Sequence, residues 1–163
     1  MRRESIDPAY SQFFLDTCAF DPKYAPEDKS AAMLWKLYED GILHLVLAHS
    51  NQREIDHPNT PPWVMAKAKT MTYTLPVSLT PDEQIRRDRI VALLRGNSTS
   101  NRHLDDAHHI FEASKYGGFF ITTDARILKL NDSIYDICTV QVMTPSDALA
   151  RIEIKDIGRG RDA

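Results

Sequence analysis

An α/β domain with a mostly parallel central sheet and helices on its faces is the fold that this sequence predicts. Three observations point there. Short apolar runs alternate along the chain with helix-periodic segments, the order that builds parallel sheets from strand–helix–strand units. The 163 residues fit one domain, and a 42% hydrophobic fraction is normal for a globular core. No internal repeat or low-complexity tract suggests a solenoid or a disordered chain.

Gln12-Phe13-Phe14-Leu15-Asp16 reads as a buried strand ending on an acid. After the loop from Pro22 to Pro26, Glu27 and Asp28 suit the positive end of a helix. Ala31, Leu34, Trp35 and Tyr38 then recur at helical spacing, and Gly41 can stop the helix. Ile42 to Leu47 predicts a second strand, with Ser50 or Asn51 capping a short helix that carries Arg53, Glu54 and Ile55. Pro58, Pro61 and Pro62 break that helix, and Trp63 to Thr72 is read as another. Thr80 caps a helix that opens on Pro81-Asp82-Glu83 and ends near Gly96, followed by a polar loop to Asn101. A helix from about Asp105 to Tyr116 stops at Gly117-Gly118 and feeds a strand at Phe119 to Thr122. Ala125 to Leu130 is a short helix, Thr139 to Val142 the last strand, and Thr144-Pro145 the start of the last helix. Residues 1–156 form the expected single domain, and 157–163 a polar, glycine-rich, frayed tail.

The net charge of −3 argues against a protein that merely coats nucleic acid, but not against a nuclease, whose acidic metal ligands offset phosphate-binding cations. The two cysteines, Cys18 and Cys138, lie far apart, and no secretory signal core follows the first residues. Reduced thiols and a cytoplasmic location are therefore expected. The longest apolar stretch, near Ile42 to Ala48, is far short of the roughly 20 residues a membrane helix needs, so no membrane association is expected.

Parallel sheets place ligands at the carboxyl ends of their strands. Asp16 ends the first strand, Glu54 lies past the second, and Asp124 follows the strand that ends at Thr122. Asp106 stands in the first turn of a helix feeding that same strand, and such a helix begins at the strand's carboxyl edge. Four carboxylates brought together repel unless a cation compensates them, and Mg2+ or Mn2+ takes oxygen ligands of this kind. Each acid also has an ordinary alternative: a loop acid at Asp16, a solvated helix acid at Glu54, a dipole partner at Asp106 and a helix cap at Asp124. Asp105 beside Asp106 is a competing ligand, because neighbours on a helix point about 100° apart.

These residues resemble the PIN domains, the family that includes VapC-type toxins. Phe13-Phe14-Leu15-Asp16-Thr17 is similar to the family's opening strand with its acid. Asp106-Ala107-His108-His109-Ile110 resembles its acid–alanine helix start, and Gly117 to Asp124 its strand ending in threonine and acid, with Asp106 and Asp124 eighteen positions apart. Ser50-Asn51-Gln52-Arg53-Glu54-Ile55 is placed like its helix-borne glutamate. The resemblance spans about Gln12 to Ile152 and implies an α/β/α sandwich and a ribonuclease using Mg2+ or Mn2+. It makes Asp16, Glu54, Asp106 and Asp124 the catalytic metal ligands, with RNA as substrate. It also implies, in toxin members, a small antitoxin partner, and often a homodimer. Thr17, Asp105, Thr122, Thr123, Arg53 and Arg126 are candidates for supporting or substrate-holding roles. One departure is Cys18, which stands where the family usually has asparagine; a thiol is the weaker hydrogen-bonding group.

Arg86, Arg87, Arg89, Arg95 and Arg102 precede the Asp106 helix and either line the approach to the site or form a solvated face. His103, His108 and His109 match no zinc-ligand spacing and are assigned surface or supporting places. Two other functions compete. One is a weakly catalytic PIN-like module that binds RNA or protein. The other is a phosphatase forming an aspartyl-phosphate, disfavoured because Cys18 occupies the place of that chemistry's usual second acid.

Overall fold

The structure, a computed structural model, describes residues 5–75, 78–98 and 103–152. Arg102 and the expected tail at 157–163 lie outside the described residues. The elements run β1 (Gln12–Leu15), α1 (Glu27–Glu39), β2 (His44–Leu47), α2 (Gln52–Ile55), α3 (Pro62–Ala68), β3 (Thr72–Tyr73), α4 (Pro81–Arg95), α5 (Leu104–Lys115), β4 (Phe119–Ile121), α6 (Ala125–Leu128), α7 (Asn131–Cys138), β5 (Val142–Met143) and α8 (Pro145–Arg151). The strands pair in the order β3-β2-β1-β4-β5, every pairing parallel.

Side chains alternate across each strand and divide the core in two. Phe13, Leu15, Leu45, Leu47, Ile121 and Met143 face one cluster, completed by Leu34, Trp35 and Leu37 of α1, Val64 and Ala68 of α3, and Ala148 of α8. Phe14, Val46, Phe120 and Val142 face the other, with Ile90 of α4, Ala107, Ile110, Phe111 and Ala113 of α5, Ile127 of α6, and Ile134 and Cys138 of α7. The sheet is thus the middle layer of an α/β/α sandwich. Because both faces are buried, its strands read as continuous apolar runs rather than alternating ones.

Local signals account for most boundaries. Thr80 accepts from the Glu83 amide while the Glu83 side chain accepts from the Thr80 amide, a capping box at the start of α4. Thr144 caps α8 through the Asp147 amide. Gly41 ends α1 with φ of +73°, where a side chain would be strained.

Three expectations need correction. The segment expected as one helix from Trp63 to Thr72 is α3 followed by an edge strand, β3, whose two residues are too few for a period-2 signal. Helix α7 was not anticipated. The last strand lies at Val142–Met143 rather than Thr139–Val142, because Thr139 takes a left-handed conformation (φ +61°) that ends α7. No helix among the described residues is long and apolar enough to cross a membrane.

Candidate metal centre

The chain leaves β1 for β2 and β3 on one side, then returns to β4 and β5 on the other. The reversal falls between β1 and β4, and in such sheets the crevice at the strands' carboxyl ends beside the reversal is the usual ligand site. Asp16 follows β1 and Thr122 follows β4 at this crevice, and the Asp16 amide donates to the Ile121 carbonyl at 2.9 Å.

Asp16 is only 4% exposed. Its Oδ2 accepts from Thr122 Oγ1 at 2.8 Å and from the Cys18 thiol at 3.3 Å. Thr122, itself buried, also accepts from the Asp124 amide at 3.1 Å, so one hydroxyl joins two of the predicted acids. Burial and the neighbouring Asp16 charge push the Cys18 thiol up to about 11. At neutral pH Cys18 is therefore a protonated donor to Asp16.

Asp106 lies in the first turn of α5. Burial first, then the charges of Asp16, Glu54 and Asp124, push its carboxyl up to about 7, against a downward pull from His109. Asp106 thus sits in the field of all three other predicted acids. The tightest group is narrower: ligand atoms of Asp16, Asp106 and His109 all lie within 4.8 Å of one another. Of the two adjacent acids it is Asp106 that belongs to this group, while the charge of Asp105 acts on His108.

Glu54 and Asp124 stand outside that tight group and are already engaged. Glu54 Oε2 accepts from Thr17 Oγ1 at 2.5 Å, tying the end of β1 to α2. Asp124 accepts from the Arg126 amide at 2.9 Å, capping α6, and from the Arg126 guanidinium at 2.7 Å and 3.2 Å. These contacts hold its carboxyl below the usual carboxylate range. The cap role foreseen for Asp124 is therefore real, and any role at an ion comes in addition to it. Thr123 turns to the Cys18 backbone, its hydroxyl donating to that carbonyl at 3.4 Å. Arg53 is exposed on α2.

His109 was placed at the surface or in support, and the structure overturns the surface reading: it is fully buried. The signal was in the sequence, since Asp106 and His109 are three residues apart on one helix and so share a face. The arginine run does not line the approach as a unit. Arg86 reaches Ser114 at 3.5 Å and Lys115 pairs with Glu83 at 3.4 Å, both at the end of α5 remote from Asp106.

A second polar cluster that the sequence did not suggest locks α5 to the end of β2. Buried Glu112 accepts from Ser50 Oγ at 3.0 Å and Thr74 Oγ1 at 2.9 Å and pairs with His49. It anchors the segment that leads into Asn51 and Glu54. Thr17, Cys18, Glu54 and Thr123, together with Phe20 and Tyr24, line an open cleft of about 740 Å³ beside the acids.

No protein-family model and no curated protein sequence matches the chain. Among solved structures it is similar to a chain from the structure of FitAB bound to an IR36 DNA fragment. The identity is 10% and the TM-score 0.44, over 82% of this chain and 94% of that one. A likeness that distant carries nothing about chemistry. The residues themselves fit a divalent cation: ligand atoms of buried Asp16, half-buried Asp106 and buried His109 lie within 4.8 Å of one another, and Nε2 of His109 has no hydrogen-bond partner.

Proposed function

We propose that the protein is a metal-dependent ribonuclease that uses the crevice between β1 and β4. The observation that carries this reading is the meeting of buried Asp16 and half-buried Asp106 at the switch point of the sheet, with the Asp106 carboxyl pushed up to about 7. Asp16 and Asp106 would hold a divalent cation there, which would supply compensating charge, polarisation of a phosphodiester and an activated water for in-line hydrolysis to a 5′-phosphate and a 3′-hydroxyl.

The chain's own residues have separate tasks. Asp16 and Asp106 hold the ion, and Thr122 fixes the rotamer of Asp16 by its hydrogen bond. Glu54, held by Thr17, and Asp124, held by Arg126, enlarge the negative field and complete the ligand set through water. The exposed Arg126 guanidinium beside Asp124 is placed to meet a phosphate, and the open cleft beside Glu54 to hold an adjoining nucleotide. RNA as the substrate, a small antitoxin that blocks the cleft, and a homodimer belong to this reading through the PIN resemblance.

The weakly catalytic binding module is favoured by one observation, the forked Arg126–Asp124 pairing, which competes with any ion for that carboxylate. Cleavage of defined RNAs with Mg2+, Mn2+ or EDTA separates the two. The nuclease reading expects divalent-dependent cleavage that falls more than about 100-fold in Asp16→Asn while the circular dichroism spectrum is kept. Cleavage by that variant at the wild-type rate refutes it, and metal-independent RNA binding without cleavage favours the module.

A further inference from the structure

We infer that the Nε2 atom of His109 is a metal ligand, which makes the centre a mixed nitrogen–oxygen site for a divalent transition ion such as Mn2+, Fe2+ or Zn2+ in preference to Mg2+. The inference rests on the metal-centre reading above and names the ion class it takes.

Three observations support it. His109 is 0% exposed, and its Nε2 is the one buried side-chain nitrogen or oxygen among the described residues without a hydrogen-bond partner. A buried orphan of this kind is costly and rare in folded proteins. A ring nitrogen of His109 lies within 4.8 Å of carboxylate oxygens of both Asp16 and Asp106. Ligands bound to one ion at about 2.0–2.2 Å stand at most about 4.4 Å apart, so small side-chain shifts close the site. The other ring nitrogen, Nδ1, faces the side-chain amide of Asn51 at 3.5 Å. Asn51 is itself buried. An amide can present oxygen or nitrogen. With oxygen toward the ring, Nδ1–H donates to it and Nε2 keeps its lone pair for the centre, the usual arrangement of a metal-bound histidine.

The ion preference follows from the donor set. Mg2+ favours an all-oxygen octahedron and sheds water reluctantly, whereas imidazole suits first-row transition ions. The glutamate of α2 and the aspartate capping α6 are engaged elsewhere, so the nitrogen is a substantial share of the inner ligands.

Electron spin-echo spectroscopy of the Mn2+-loaded full chain tests this without reference to activity. Nitrogen-14 modulation from a directly bound imidazole is expected in the wild type and in His103→Gln, whose ring lies 3.9 Å from Asp106. It is expected to vanish in His109→Gln, with Mn2+ affinity reduced about tenfold or more and Mg2+ affinity changed much less. Bound Mn2+ without nitrogen modulation, or modulation that disappears in His103→Gln, overturns the role of His109 and leaves the carboxylate centre standing. Failure of the wild type to bind Mn2+ at millimolar concentration overturns the metal-centre reading itself. Should His109→Gln not fold, the wild-type and His103→Gln spectra decide, since among the described residues His103 and His109 are the imidazoles found beside Asp106.

Discussion

Replacing Asp106 by asparagine keeps the shape of the side chain and removes a charge that the metal-free fold disfavours. The Asp106 carboxyl is pushed from an ordinary 3.8 up to about 7 in the native state. Between these values the native protein holds a proton that the unfolded chain has lost, so stability falls as pH rises through the window. Each pH unit corresponds to about 1.4 kcal/mol. Without metal, the native state thus loses about 3 kcal/mol from this group between pH 5 and pH 8, and Asp106→Asn does not. The variant is therefore expected to be the more stable protein in EDTA at pH 8, its lead growing by about 3 kcal/mol from pH 5, or by about 6–12 °C in melting temperature. Thermal melts followed by circular dichroism at the two pH values measure this. Adding Mn2+ at pH 8 is expected to reverse the order, because the ion stabilises the form that binds it. A lead that does not change with pH, or a variant less stable than the wild type in EDTA at pH 8, would refute the claim that uncompensated charge is concentrated at this carboxylate.

Other perturbations test how the centre is held. Thr122→Val removes the buried hydroxyl that donates to Asp16 and accepts from the Asp124 amide. A loss of roughly 1–3 kcal/mol in urea unfolding is expected, with weaker Mn2+ binding by calorimetry; unchanged affinity would mean that Asp16 needs no such restraint. At Gly118 an added Cβ would lie 2.4 Å from Cδ2 of Phe14 and 3.1 Å from the Gln12 carbonyl. Gly118→Ala is expected to cost about 1–3 kcal/mol in the same assay, because Phe14 is a fully buried core ring with little room to move.

The helices that opened on clear caps were legible in the sequence. Thr80 with Pro81 and Glu83, and Thr144 with Pro145, announce α4 and α8 through chemistry internal to a few residues. β1, β2 and β4 were legible because burial on both faces leaves unbroken apolar runs. β3 was not, since two residues at a sheet edge carry no periodicity and their place depends on pairing with Val46 and Leu47. The approach of Asp106 to Asp16 was foreseeable from the rule that places helix starts at strand ends. The spacing of Asp106 and His109 likewise put them on one helix face, but the full burial of His109 and the Arg126 fork on Asp124 were not legible, because both depend on rotamers and packing.

By itself the sequence determined the layers, the order of strands and helices along the chain, and the candidate acids, because periodicity, capping and strand-end position are properties of short segments. Only the tertiary structure decided that β4 inserts beside β1, that Asp106 comes close to Asp16, and that His109 shares the crevice. Those outcomes follow from how two buried sheet faces and a closely packed α5 restrict the directions left to each side chain, and distant parts of the chain set that together.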